Sequence, residues 1–258
     1  MSYSPHLEIA IQAARAAEEV IKRYYRSDLG VRIKADQSPV TVADVEAEQA
    51  IKSVLQRAFP DYGFHGEETG RHRAEVDHVW LVDPIDGTKS FIRGYPFFST
   101  QIALARGGEI ILGVSNAPLF DELACAERGG GAFLNGNPVR VSEIKELAAA
   151  TLSLGNLKTV AGDARWTRLG ELIRCCNRTR GYGDFYHYHL LAAGKLDIVI
   201  ESDINILDVA ALSVIIREAG GHVTDLEGRP LVFATTSIVA SNGYLHTAAL
   251  QAVSGPRH

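Results

Sequence analysis

Apolar residues first fall at helical spacing. Leu7, Ala10, Ala14, Ala17, Val20, Ile21 and Tyr24 recur every three or four positions, which predicts an amphipathic helix with one buried face. Lys34 to Pro39 is polar and breaks structure. The same period then returns at Ala47, Ile51, Val54, Leu55 and Ala58, and ends before Pro60. Thr41 and Asp44 stand at the beginning of this second helix, where oxygen side chains cap exposed amides. From His78 to Phe133 the pattern changes to strands. Val79–Val82, Thr100–Ala105, Ile110–Asn116 and Leu123–Ala126 are short candidates between glycine-rich turns, and Asn135-Gly136 signals a tight turn. After Glu146 the elements alternate: strand Thr151–Leu154, helices Trp166–Cys176 and Phe185–Ala193, strand Asp197–Glu201, helix Val209–Ala219, then strands near Val223 and at Ile238–Ser241. The change of pattern predicts an α+β half over residues 1–147 and an α/β half over 148–258, with no internal repeat.

Composition narrows the function classes. With 46% hydrophobic and 22% charged residues in 258, the chain can bury a full core. A net charge of −5 and a pI near 6.0 give no electrostatic footprint for nucleic acid. Cys125, Cys175 and Cys176 are an odd count with an adjacent pair poorly placed for a disulfide, so a reducing compartment is expected. Met1 to His6 lacks the pattern of a signal peptide, and no apolar run has the length of a membrane helix. The expectation is a cytoplasmic protein without a membrane segment.

One run concentrates the chemistry. Residues 80–96 read Trp-Leu-Val-Asp-Pro-Ile-Asp-Gly-Thr-Lys-Ser-Phe-Ile-Arg-Gly-Tyr-Pro. Asp83 and Asp86 end an apolar strand, Pro84 and Gly87 force a turn, and Thr88 is expected to cap a helix. Two carboxylates on a sharp turn can face one hard cation, while the turn's free amides suit a phosphate oxygen. Glu67 and Glu68 after Gly66, Asp44 and Asp208 are further acidic positions beside breakers or helix starts. Taken singly, Asp44 and Asp208 read as helix-start carboxylates that suit the dipole, and Glu67-Glu68 as a solvated loop.

Together these positions resemble the inositol monophosphatase family. The likeness rests on Gly66-Glu67-Glu68, Asp83-Pro84-Ile85-Asp86-Gly87-Thr88 and Asp208. Pro39-Val40-Thr41-Val42-Ala43-Asp44, Gly131-Ala132-Phe133-Leu134-Asn135-Gly136 and Glu218-Ala219-Gly220-Gly221 extend it over residues 7 to 250. The resemblance implies a layered αβαβα sandwich, a Mg²⁺-dependent phosphomonoesterase and a homodimer. It implies Glu67, Asp83 and the Ile85 carbonyl as ligands of one Mg²⁺, and Asp83, Asp86 and Asp208 as ligands of a second. Glu67 with water would hold a weaker third. Gly87 and Thr88 amides would cradle phosphate, and Asp44 with the Thr88 hydroxyl would orient and deprotonate the attacking water. Leu207 departs from the tryptophan usual before the late aspartate, which bears on the wall of the pocket.

The family's fold does not name the ester. Arg180-Gly181-Tyr182-Gly183-Asp184-Phe185-Tyr186 is similar to histidinol-phosphate phosphatases of this family, as is Lys89-Ser90-Phe91 after the metal motif. A substrate with an ammonium and an imidazole calls for extra acidic groups, and Asp184 and Glu201 are the candidates. Against this stands Asp184 as a plain helix N-cap before Phe185. Tyr182, Tyr186 and Tyr188 read equally as core or interface residues and as residues that stack on a substrate ring, and Lys34 as a solvated lysine or a phosphate contact. His187 and His189 are read as non-ligands. The expectation is thus hydrolysis of a small phosphorylated metabolite, foremost L-histidinol phosphate. Inositol 1-phosphate, or a role beside transcription or RNA-processing machinery, are the alternatives.

Overall fold

The computed structural model describes residues 3–27, 32–33, 39–73 and 75–254. Lys34 lies outside them. The chain runs α1 (Pro5–Tyr24), β1 (Arg32–Ile33), β2 (Pro39–Val40), α2 (Val42–Ala58), β3 (Gly63–Gly66), β4 (Gly70–His72), β5 (His78–Asp86) and α3 (Thr88–Ile92). The hairpins follow as β6 (Ser99–Arg106), β7 (Glu109–Ala117), β8 (Glu122–Glu127), β9 (Gly131–Leu134) and β10 (Asn137–Val139). After these come β11 (Thr151–Leu154), α4 (Lys158–Ala161), α5 (Arg165–Cys175), β12 (Arg178–Arg180), α6 (Asp184–Ala192) and β13 (Ile198–Ser202). The last elements are α7 (Ile206–Glu218), β14 (His222–Thr224), β15 (Ser237–Ser241) and α8 (His246–Val253).

β1 and β2 pair as a separate two-stranded ribbon, and two larger sheets and three helical layers alternate as αβαβα, as the resemblance implied. The larger sheet has the order β10-β9-β8-β7-β6-β5-β3-β4 and is antiparallel except for β3 beside β5. The smaller has the order β12-β11-β13-β15-β14, with β11 parallel to both neighbours. Helices α1 and α2 cover the outer face of the larger sheet, α6 and α7 lie between the sheets, and α5 and α8 cover the far face of the smaller. The two-residue period of a strand distributes the core. On β5 and β6, Trp80, Val82, Ile102 and Leu104 pack under α1 and α2, while Leu81, Ala103 and Ala105 face α7. On β13, Ile198 and Ile200 pack toward α5 and α8, and Val199 faces the middle layer.

Several strands escape the hydrophobic pattern, β1 to β4, β9, β10 and β12 among them. β4 and β12 are half-exposed edge strands and β10 is three residues long, so none carries an apolar run. One glycine sets the depth of the middle layer. A Cβ on Gly113 of β7 would lie 2.2 Å from the Ala211 carbonyl oxygen. A side chain there would lift α7 off the sheet, and α7 carries Asp208.

Candidate active site

Residues three apart on a regular strand point to opposite faces. Asp83 and Asp86 escape that rule because the β5–β6 register breaks between them, where Pro84 has no N–H for the ladder. Gly87 then adopts φ 88°, and its missing Cβ leaves room for the Phe97 carbonyl, which would otherwise lie 2.6 Å away. Gly87, not Thr88, is the N-cap of α3. The expected capping role of Thr88 is therefore corrected: as the first helical residue it turns its hydroxyl to the Ile85 carbonyl at 3.0 Å and to Asp44 Oδ1 at 3.3 Å.

Asp44 and Asp208 are each the third residue of a helix in a capping box, on Thr41 and Asn205 respectively. Asp44 Oδ2 accepts from the Thr41 amide and hydroxyl, and Asp208 Oδ2 accepts from the Asn205 amide. In each, the other oxygen remains for the site. Capping and chemistry are two uses of one carboxylate, rather than rival readings.

Asp83, Asp86 and Asp208 offer oxygens that all lie within 4.8 Å of one another. Glu67 reaches the same spot from the end of β3, its amide bonded to the Val82 carbonyl at 3.1 Å and its carboxylate close enough to Asp83 to raise its pKa. Burial pushes Asp83 and Asp86 well above the usual carboxylate range, and the neighbouring acids push them further. Asp208 rises to about 7, mainly by burial. Asp44 is raised by burial, which outweighs its Thr41 bonds. Among the described residues no lysine or arginine forms an ion pair with the three aspartates. An all-oxygen set of crowded, uncompensated carboxylates fits a hard divalent cation, which would remove the repulsion.

These groups line a cavity of about 430 Å³ together with Thr88, Ser90, Asn156, Asp184, Asp203 and one basic side chain, the exposed Lys89. Asp184 is the first residue of α6, with φ 46°, and Gly183 is the cap position. The N-cap alternative thus fails: no side chain caps α6, and Asp184 instead lines the cavity with Ser90. Burial raises it to about 6, with Glu201 adding to the shift. Glu201 is set back from the cavity surface. Its oxygens accept from the Asn156 amide at 3.1 Å and the Tyr188 hydroxyl at 2.8 Å, with His187 Nε2 at 3.3 Å.

The other sequence candidates separate cleanly. Tyr188 is core, whereas Tyr182 and Tyr186 are half-buried and join Phe97 and Phe120 in an aromatic group. His187 bonds Ser153, and His189 bonds Glu122 and Ser115, so neither joins the acidic cluster. Leu207 is buried in the middle layer and forms no part of the cavity wall. Asn156 went unrecognised in the sequence. Asn156 follows β11 at its carboxyl end, beside the parallel β13, which is where α/β sheets gather ligand contacts.

A bulged strand end, two helix starts and a buried acidic cluster define a metal-dependent phosphatase class, and the comparisons agree. The chain belongs to the inositol monophosphatase family, whose model matches residues 2–256. It is 39% identical over 246 residues to a histidinol-phosphatase of Mycobacterium tuberculosis, covering 93% of this chain and 94% of that one. An inositol-1-monophosphatase of Mesorhizobium japonicum is 36% identical, over 99% and 98% of the two chains. Among solved structures, the extragenic suppressor protein suhB of Bartonella henselae superposes with a TM-score of 0.90 at 34% identity, over 98% of this chain and all of that one.

Proposed function

We propose that the protein is a Mg²⁺-dependent phosphomonoesterase whose substrate is L-histidinol phosphate, acting as a homodimer in the cytoplasm. The observation that carries the substrate is Asp184, a second acidic wall in the same cavity as the metal-type carboxylates. A cationic organic end gains from that wall what a neutral polyol cannot. The relative named histidinol-phosphatase supports the same choice.

In this reading Glu67, Asp83 and the Ile85 carbonyl would hold one ion, Asp83, Asp86 and Asp208 a second, and Glu67 with water a third. Such ions, when bound, neutralise phosphate oxygens and acidify water. The rest falls to the chain. The Gly87 and Thr88 amides, at the start of α3, take a phosphate oxygen. Thr88 orients the attacking water, and Asp44, 3.3 Å from the Thr88 hydroxyl, receives the proton as the water oxygen bonds to phosphorus. The ester oxygen leaves with the bonding pair and takes its proton from solvent water. Asp184 holds the ammonium or imidazolium end, and Glu201 adds its charge from behind Asn156.

A turnover panel tests this: histidinol phosphate, inositol 1-phosphate, fructose 1,6-bisphosphate and phosphoadenosine phosphate, each with Mg²⁺ and with chelator. The expected result is the highest kcat/KM for histidinol phosphate, abolished by chelator. Preference for inositol 1-phosphate would transfer the assignment to that ester.

A further inference from the structure

Helix α2 carries a second fully buried carboxylate one turn after Asp44, and the chemistry above does not use it. Glu48 has no solvent exposure. Its Oε2 accepts from the Glu68 amide and its Oε1 from the Thr69 amide, both at 2.8 Å. These are the two amides that follow Glu67 along the chain. The Glu67 amide itself is bonded to Val82, the residue before Asp83.

Gly66 completes the arrangement. A Cβ there would lie 2.5 Å from the carboxyl carbon and from both oxygens of Glu48. The glycine that opens the Gly-Glu-Glu run is therefore needed by a carboxylate eighteen residues earlier in the chain, and not only by the turn. Thr69 is on the exposed side of that turn, so water could have served its amide. Instead, a buried anion takes it, together with the next amide toward the site. A carboxylate pays its desolvation only through such bonds, which makes the contact rigid.

We propose that Glu48 is a positioning residue for Glu67: by gripping the two following amides it fixes the loop and tunes the affinity of the acidic cluster for divalent cations. The inference rests on the metal-dependent reading given above. It also assigns α2 a double role, because the same helix face delivers Asp44 to Thr88 and holds the loop of Glu67. Movement of α2 would disturb the proton acceptor and the cation site together.

The test compares wild type with Glu48→Gln, which keeps the size but turns an NH₂ toward a backbone N–H. Mn²⁺ binding is measured by calorimetry without substrate, and Mg²⁺ activation by turnover. Loss of one charge-assisted bond should weaken Mn²⁺ binding roughly tenfold and raise half-activating Mg²⁺ by a similar factor. At saturating Mg²⁺, kcat should stay within about threefold of wild type, with KM unchanged. Ile51→Val, a core change on the same helix, controls for destabilisation and should leave cation affinity alone. Folded Glu48→Gln with unchanged Mn²⁺ affinity would overturn the proposal while leaving the phosphatase reading intact. Wild type that binds no Mn²⁺ would overturn both. If Glu48→Gln does not fold, amide exchange in wild type decides: exchange at Glu68 and Thr69 should slow further on adding Mg²⁺, and an unaltered rate would refute the coupling.

Discussion

Two kinds of carboxylate, those lining the cavity and one set back behind it, end up shifted in opposite directions. Asp83, Asp86 and Asp208 are driven up, and Glu201 is driven down. The desolvation cost is shared and is the largest influence on each. What differs is company. Glu201 has the Asn156 amide, the Tyr188 hydroxyl and His187 around it, whereas the aspartates have chiefly each other. Burial alone therefore does not identify a cation site; burial with unmet negative charge does. Asp44 lies between the extremes, with one oxygen satisfied by Thr41 and the other turned to Thr88.

The contrast breaks most sharply at Asp83. Asp83→Asn should lower kcat by about 1,000-fold, because several kcal/mol of charge stabilisation depends on the ligand it removes. Near-normal turnover by folded variant would end the two-ion assignment. Thr88→Ala should reduce kcat by roughly 100-fold with KM little changed, the signature of a contact made in the transition state. A change confined to KM would make Thr88 a binding residue instead.

Asp184→Asn probes the opposite wall. A charge-assisted bond of about 1.5–3 kcal/mol predicts a 10- to 100-fold loss in kcat/KM for histidinol phosphate. A neutral aryl phosphate should be hydrolysed almost as before. Equal loss on both substrates would reduce Asp184 to a structural role.

The smallest effects are the most direct test of the comparison, since one kind of substitution should act with opposite sign. The folded-state pKa of Asp208 is raised to about 7, so its contribution to stability is full below its unfolded value and lost as pH rises through about 7. Asp208→Asn should thus raise the Tm of metal-free protein at pH 8 by roughly 2–5 °C, with the gain fading toward pH 4. Mg²⁺ should stabilise wild type more than this variant. Glu201 has a lowered folded pKa, so its contribution is present above the unfolded value and lost as pH falls through the folded one. Glu201→Gln should lower Tm at pH 8 by a similar amount. Thermal melts in chelator read both, and shifts of the same sign would show that partners do not separate the two groups.

Much of this was written in local sequence. The helical period of Leu7 to Tyr24, the strand run Val79–Val82 and the breakers Pro84 and Gly87 act within a few residues, so pattern and turn chemistry reach them directly. The Asp-Pro-Ile-Asp-Gly-Thr run is local in the same sense: its bulge brings two carboxylates together on one chain segment. The edge strands β4, β10 and β12 were illegible because pairing with a neighbour, not an apolar face, makes them strands. Thr88 was misread as a cap since any oxygen residue after a turn looks like one; Asp44, forty-four positions earlier, decides where its hydroxyl goes. Glu48, Asn156 and the set-back position of Glu201 belong to the same class. Each depends on which backbone amides arrive beside a carboxylate from distant segments. The order of residues determined the elements and the acidic inventory, because those follow from short-range sterics and periodicity. Only the packing of α2, α6 and α7 against the sheets decided which carboxylates were crowded against one another with few compensating donors, because hydrogen-bond satisfaction is settled by neighbours in space.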